Sequence, residues 1–196
     1  MINGVEIIAE VKTKSPFGFT AQESWDSLFQ LAERISDMIA IHTDPHWGGS
    51  FGLIAKARRL TEKPILAKGI HPQDHEVRNA LHHGADFVLV VGRVPDIPLE
   101  NILIEPLSLG ELANLPQGCK VVWNSRDLST GGLKKETFEQ ARRLWNGWLC
   151  QASNICSLKD IKDGADAVLV GSHLREFFDS SQQSVAAMLL PSCFGT

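Results

Sequence analysis

The chain has no apolar run that approaches the length needed to span a bilayer, so an integral membrane protein is not expected. Its four cysteines, Cys119, Cys150, Cys156 and Cys193, form no close pair, and no histidine lies near Cys150 and Cys156. That argues against a disulfide framework or a zinc site and reads as free thiols of a cytoplasmic protein. The first ten residues carry Glu6 and no basic stretch, so no secretory signal is expected. Charge of one sign is also lacking. With 19 Lys and Arg against 23 Asp and Glu, nothing calls for nucleic acid, although a local basic pocket is compatible with the balance. Linkers and low-complexity stretches are missing. The 196 residues, 43% apolar and 21% charged, therefore read as one soluble domain over residues 1–196 with a sizeable core.

Short apolar runs recur: Val5–Val11, Met38–Ile41, Pro64–Ala67, Phe87–Val91, Ile102–Ile104, Lys120–Trp123, Trp148–Cys150 and Ala167–Val170. Most are apolar at consecutive positions, the mark of parallel strands buried on both faces. Helical patterns separate them. Thr20 and Glu23 form a capping box ahead of the stripe Trp25, Leu28, Phe29, Ala32 and Ile35. Ser50 opens a helix through Leu60. A third runs from His71 to His83 and stops at Gly84. Another is lined by Phe138, Ala141, Leu144 and Trp145 and stops at Gly147. Eight strands alternating with helices predict a parallel α/β fold.

A repeat narrows the choice. Gly84-Ala85-Asp86-Phe87-Val88-Leu89-Val90 returns four βα units later as Gly164-Ala165-Asp166-Ala167-Val168-Leu169-Val170. Two similar halves suit a closed (β/α)8 barrel better than an open sheet. The competing reading is that helix–Gly-Ala-Asp–strand is a common turn solution. The barrel is compact. Two prolines within Gly92–Glu100 leave no room for a full helix between strands four and five, so that helix is reduced or missing. The next, Ser108 to Asn114, is short.

In such a barrel function collects at the C-terminal ends of the strands. Those ends carry Glu10, Lys12 and Ser15; His42; Lys68; Glu105; Asn124 and Arg126; Ser153 and Asn154; Gly171 and Ser172. Lys12 and Lys68 sit among apolar residues, which is costly unless the ammonium groups are paired; Glu10 and Glu105 are the natural partners. These groups either neutralise one another in a structural network or form an active mouth, and their convergence favours function. Gly171-Ser172 precedes a short helix over His173–Phe178, whose amides and dipole suit an anion; Ser153 and Asn154 add donors from the previous loop. Serine is also an ordinary N-cap. Trp47, beside Gly48-Gly49, either stacks on an aromatic substrate and closes over the mouth or packs in the core. His42 titrates near neutrality in principle, but a lone histidine at a strand end more often just hydrogen bonds.

These segments together resemble the indole-3-glycerol phosphate synthases. Ala9-Glu10-Val11-Lys12-Thr13-Lys14-Ser15-Pro16 is similar to the family's Ala-Glu-(Val/Tyr)-Lys-x-x-Ser-Pro opening. His42-Thr43-Asp44 through Trp47-Gly48-Gly49-Ser50 resembles its Leu-Thr-(Asp/Glu) and Phe-x-Gly-Ser segment. Pro64-Ile65-Leu66-Ala67-Lys68, Ile104-Glu105, Asn124-Ser125-Arg126-Asp127-Leu128 and Leu169-Val170-Gly171-Ser172 follow in the family's order.

The resemblance implies a (β/α)8 barrel that closes and decarboxylates a carboxyphenylamino-deoxyribulose phosphate in tryptophan biosynthesis. It implies Lys68, Glu105, Lys12, Glu10 and Asn124 as catalytic residues: Lys68 as general acid at the ketone oxygen, Glu105 as the acid/base of dehydration, and Lys12 on the substrate carboxylate or phosphate with a share in proton transfer. Glu10 would orient the lysines, and Asn124 and Arg126 would hold hydroxyl and carboxylate groups. Trp47, Ser15, Leu89 and Leu169 would contact substrate, and Ser153, Asn154, Gly171 and Ser172 its phosphate. No metal or organic cofactor is called for. The expected partner is a small phosphorylated substrate, without nucleic acid or membrane, for a monomer or weak homo-oligomer.

Three departures stand out. Lys68-Gly69-Ile70 replaces the family's Lys-Asp-Phe. Ala152-Ser153-Asn154 replaces Glu-Ser-Gly, where Asn154 would crowd a phosphate unless its backbone is left-handed. The sequence as read opens at strand one, without the N-terminal extension that helps cover the mouth. A different phosphosugar isomerase or lyase on the same barrel, and a non-catalytic phosphate-binding barrel, therefore stay open as alternatives.

Overall fold

The computed structural model describes residues 4–189, with side chains described to residue 182; Cys193 lies outside the described residues. Eight parallel strands close into a barrel in sequence order. They are β1 (Glu6–Val11), β2 (Met38–His42), β3 (Ile65–Lys68), β4 (Phe87–Val91), β5 (Ile102–Glu105), β6 (Lys120–Asn124), β7 (Leu149–Ala152) and β8 (Ala167–Val170). β1 pairs with both β2 and β8, through Ile8↔Met38 and Ile8↔Leu169, which seals the ring.

Side chains alternate across a strand, so each strand serves two cores. Ile8, Ala40, Leu66, Leu89, Leu103, Val122, Cys150 and Leu169 fill the inside of the barrel. Ile7, Ile39, Ile65, Val88, Ile104, Trp123, Leu149 and Val168 face outward into a larger cluster beneath the helices. Both faces are dry, which is why the strands read as continuous apolar runs.

Several strands extend past the apolar run. β2, β3, β5, β6 and β7 each continue one or two residues, through His42, Lys68, Glu105, Asn124 and Ala152. The ladder carries on because polar residues pair across it as readily as apolar ones: His42↔Lys68, Val91↔Glu105 and Asn124↔Ala152. Glu10, His42, Lys68, Glu105 and Asn124 therefore stand on strands, while Lys12, Arg126, Ser153, Asn154 and Ser172 follow just past strand ends.

The helices are α1 (Trp25–Ile35), α2 (Phe51–Arg58), α3 (Asp74–His82), α4 (Leu109–Ala113), α5 (Phe138–Leu144) and α6 (Leu174–Leu189). No helix lies between β4 and β5, as the two prolines required, and a 3₁₀ turn, Leu158–Asp160, stands between β7 and β8. α1 is not capped by Thr20 and Glu23. Thr20 bridges to Lys14 within the loop after β1, and Glu23 reaches Arg175. Ser24 takes the cap and accepts from the Ser27 amide at 3.2 Å. α2 stops at Arg58 rather than Leu60, which is 54% exposed. α3 begins at Asp74 because His71 has φ +48 and cannot be helical. In α5, Leu144 is 51% exposed and does not line the core. The chain turns extended at Trp145, before Gly147. α6 runs well beyond the short helix expected over His173–Phe178.

The repeat proves to be a matched pair of clamps at the base of the barrel. Asp86 Oδ2 accepts from the Ile65 amide at 2.8 Å and from Arg58 Nη1 at 3.0 Å. One half-barrel later, Asp166 Oδ2 accepts from the Leu149 amide at 2.8 Å and from Arg142 Nη1 at 3.1 Å. Each arginine also donates Nη2 to loop carbonyls, Lys63 O at 3.0 Å and Gly147 O at 2.8 Å. The preceding glycines have φ +100 and +81, and a Cβ there would press on the stems of Arg58 and Arg142. Gly-Ala-Asp is thus both a turn solution and a marker of two similar halves.

Candidate active site

Moving up each strand by two residues keeps a side chain on the same face. Above Ile8, Ala40, Leu66, Leu103 and Val122 that step reaches Glu10, His42, Lys68, Glu105 and Asn124. The inward stripe that packs the barrel thus turns polar where it meets the mouth. On β7 and β8 the same step gives Ala152 and Gly171, which leave space. A Cβ on Gly171 would lie 1.9 Å from Glu10 Oε2, so only glycine lets the two strands carry that carboxylate between them.

Glu10 is the hub. It is 2% exposed, and its Oε1 lies 3.3 Å from Lys68 Nζ while Oε2 lies 3.5 Å from Lys12 Nζ. His42 Nε2 sits 2.6 Å from Oε1. Burial pushes the carboxyl up, but the ammonium groups of Lys12 and Lys68, with His42, outweigh it and hold Glu10 well below the usual range. Lys12 is pushed down, first by burial and against the pull of Glu10.

Glu105, also 2% exposed, behaves oppositely. Burial raises its carboxyl, and Lys68 and the Asn124 amide only partly oppose this. Its Oε1 accepts from Asn124 Nδ2 at 2.8 Å. The expectation that Glu105 pairs directly with a lysine is corrected. Among the described ion pairs both lysines go to Glu10, Lys12 from two residues further along the same chain segment and Lys68 from the end of β3. Asn124 is itself fixed: its Oδ1 accepts from Ser153 Oγ at 2.6 Å and from the Arg126 amide at 3.0 Å. One hydrogen-bonded chain therefore links Glu105, Asn124 and Ser153 across β5, β6 and β7.

A cavity of about 350 Å³ opens over these groups, lined by Glu10, Lys12, Ser15, Trp47, Lys68, Asn124, Arg126, Ser153, Asn154, Leu169, Gly171 and Ser172. Glu105 and Leu89 line a small adjoining space that shares Trp47, Lys68 and Asn124 with it. Every residue picked out at the strand ends thus reaches one connected mouth. Ser153 and Asn154 both adopt left-handed backbone, φ +74 and +56, so Asn154 takes the conformation that a glycine would have supplied. Trp47 is only partly buried and belongs to neither apolar core, so it does not pack in the core. It stacks on His42 at 5.5 Å and also faces the cavity.

The sequence reading missed Phe17 and Phe19, on the loop after β1, which line the cavity. Lys12 Nζ lies 5.4 Å from the Phe19 ring, and Phe17 meets Trp47 edge-on at 6.3 Å. Two aromatics flanking Gly18 just past a strand end were the available signal. His71 was missed too. Its Nδ1 donates to Leu89 O at 2.6 Å and its Nε2 pairs with Thr43 Oγ1 at 2.9 Å. A Cβ on Gly69 would lie 2.4 Å from Thr43 Oγ1. The acid that the family carries after its strand-three lysine therefore has no room here.

A closed parallel barrel with ionisable groups buried at its C-terminal mouth defines this chain as a (β/α)8 barrel of the kind that carries its site on that face. The family model for indole-3-glycerol phosphate synthase matches residues 2–187, and the chain belongs to that family. It is 30% identical over 145 residues to the indole-3-glycerol phosphate synthase of Campylobacter concisus, covering 70% of this chain and 50% of that one. It is 33% identical over 107 residues to that of Thermoplasma acidophilum, covering 53% and 45%. To that of Campylobacter curvus it is 33% identical over 94 residues, covering 45% and 36%. The chain spans half or less of the length of these relatives. No helix among the described residues is long and apolar enough to cross a membrane.

Proposed function

We propose that the chain converts carboxyphenylamino-deoxyribulose phosphate to indole-3-glycerol phosphate, releasing carbon dioxide and water. The observation that carries this reading is the separation of two buried carboxyls into opposite roles within one mouth. Glu10 is held ionised between Lys12 and Lys68, while Glu105 is pushed toward its protonated form beside Asn124. A lysine in a mostly dry mouth next to a fixed carboxylate is suited to give a proton to a ketone oxygen as the ring closes. A carboxyl with a raised pKa is suited to exchange the proton that leaves with water in the dehydration. Lys12 and Arg126 would meet the substrate carboxylate, and Ser153, Asn154, Gly171 and Ser172 the phosphate. On the same reading the protein is cytoplasmic, acts as a monomer or weak homo-oligomer, and uses neither nucleic acid nor membrane.

A second reading, another phosphosugar isomerase or lyase on this barrel, is favoured by one observation. Ala152 stands on the wall where the family has a carboxylate, so a hydroxyl or amine of the family substrate loses an acceptor there. Incubating the purified protein with the carboxyphenylamino substrate and following indole fluorescence separates the two. We expect a rise that Lys68→Ala lowers by about 10²- to 10⁴-fold, the usual worth of a general acid. Absence of any rise, or a rise that Lys68→Ala leaves intact, would overturn the synthase reading.

A further inference from the structure

Among the polar groups picked out at the strand ends, His42 is the one that the resemblance leaves without a role, since the family segment has leucine where this chain has histidine. It is 4% exposed and lies on the strand next to Glu10. Its ring is clamped by the stack on Trp47, with planes 7° apart, and its carbonyl is held by the Ser50 amide at 3.0 Å. Nε2 stands 2.6 Å from Glu10 Oε1, the same oxygen that Lys68 approaches at 3.3 Å. Neither ring nitrogen completes an aligned hydrogen bond, which is uncommon for a buried side chain and calls for a reason.

The contact requires one hydrogen between the two groups. A bare imidazole nitrogen and a carboxylate oxygen cannot face each other at this distance with two lone pairs, so one of them carries hydrogen. Glu10 is held ionised by two ammonium groups, and burial keeps the ring uncharged, with a pKa near 4. The hydrogen therefore sits on Nε2, and a neutral donor waits beside an oxygen that a lysine also occupies.

We infer that His42 is a positioning residue that takes over Glu10 Oε1 when Lys68 turns from that carboxylate toward a bound ligand. A buried carboxylate that loses one of its two cations would be left undercompensated. A neutral N–H that realigns by a small tilt restores a donor without adding a charge that would repel Lys68 and Lys12. The device suits a chain in which the acid after Lys68 is replaced by Gly69 and the glutamate of β7 by Ala152, so that among the described residues Glu10 alone pairs the two lysines. The role in turnover rests on the synthase reading; the contact with Glu10 does not.

The test uses the full-length protein, His42→Leu and His42→Gln, with two kinds of measurement. Nitrogen-15 NMR of the imidazoles should show His42 protonated on Nε2 and bare on Nδ1 at pH 7. The carbon-13 titration of the Glu10 carboxyl should move to higher pH in His42→Leu, which offers no donor, and stay near wild type in His42→Gln, whose amide can reach. In turnover, His42→Leu should lower kcat about tenfold with KM changed less than about twofold, and His42→Gln should recover most of it. A proton on Nδ1, a charged ring at pH 7, an unmoved Glu10 titration or a wild-type kcat in His42→Leu would overturn the inference. If the wild-type protein turns nothing over, the synthase reading falls, and the two NMR measurements still decide whether His42 holds Glu10.

Discussion

The two ends of this barrel use charge in opposite ways. At the base, Asp86 and Asp166 are 45% and 44% exposed, and each spends its carboxylate on one arginine and one strand amide. The amide is fixed backbone, and each guanidinium also donates to loop carbonyls, Lys63 O or Gly147 O, so both partners serve the turn. At the mouth, Glu10 and Glu105 are 2% exposed, and their partners are other side chains. A base carboxylate completes the chain trace; a mouth carboxylate is completed only by other functional groups. The difference teaches which charges the fold needs and which it merely tolerates. Desolvating an ion is costly wherever it happens, and only at the mouth is that cost met without stitching the backbone.

Breaking the hub should therefore give the largest loss. Glu10→Gln leaves Lys12 and Lys68 side by side in a mostly buried space with no anion between them. Stability at pH 7 should fall by about 3 kcal/mol, the lower end for a buried pair broken from one side, because both lysines keep some contact with water. The pH dependence gives an independent check. The folded carboxyl of Glu10 lies below its unfolded value, so its contribution is present above about pH 4.3 and is lost as the pH falls toward the lower folded value. Glu105 has the opposite sign: its raised carboxyl favours the folded protein at low pH, and that advantage is lost as the pH rises above about 4.3. Denaturant titrations from pH 3 to 7 should show the acid-side slope flattened in Glu10→Gln. An unchanged slope would mean that Glu10 is not held ionised in the folded mouth.

The barrel and its mouth were legible because their causes are local. Consecutive apolar residues buried on both strand faces announce parallel sheet, and a lysine at the end of an apolar run announces a group that needs a partner. What escaped was set by distant chain. Thr20 lost its cap to a bridge with Lys14, and Leu144 lies at a helix end where the stripe no longer faces the barrel. Which lysine meets which glutamate is set by side-chain partners across the mouth: β1 and β5 both lie two strands from β3, yet Lys68 pairs with Glu10 while Glu105 is held by Asn124. His42 was visible as a residue but not as a neighbour, since its meaning comes from the 2.6 Å to Glu10 and the stack on Trp47. Gly69 looked like a missing acid, and its reason, the Thr43–His71 contact pressed against it, joins two loops that the sequence keeps apart.

At the base the expected effects are smaller and of another kind. Asp166→Asn keeps the shape but weakens two charge-assisted bonds, to the Leu149 amide and to Arg142, and should cost about 1–2 kcal/mol in a denaturant melt, with half-exposure holding it down. Turnover should stay within about twofold, since nothing in the mouth touches this clamp; a loss as large as that of Glu10→Gln would erase the distinction between the two ends. The finest test compares the clamps with each other. Asp86→Asn weakens the corresponding pair of bonds, from Ile65 and Arg58, at similar exposure, so its cost should match that of Asp166→Asn within about 0.5 kcal/mol. The clamps sit four strands apart and share no partner, so the double substitution should cost the sum of the two within the same margin. Unequal single costs would show that the missing helix between β4 and β5 weakens one half of the barrel. Strong non-additivity would show that the halves lean on each other through the core instead of being closed separately, each by its own aspartate.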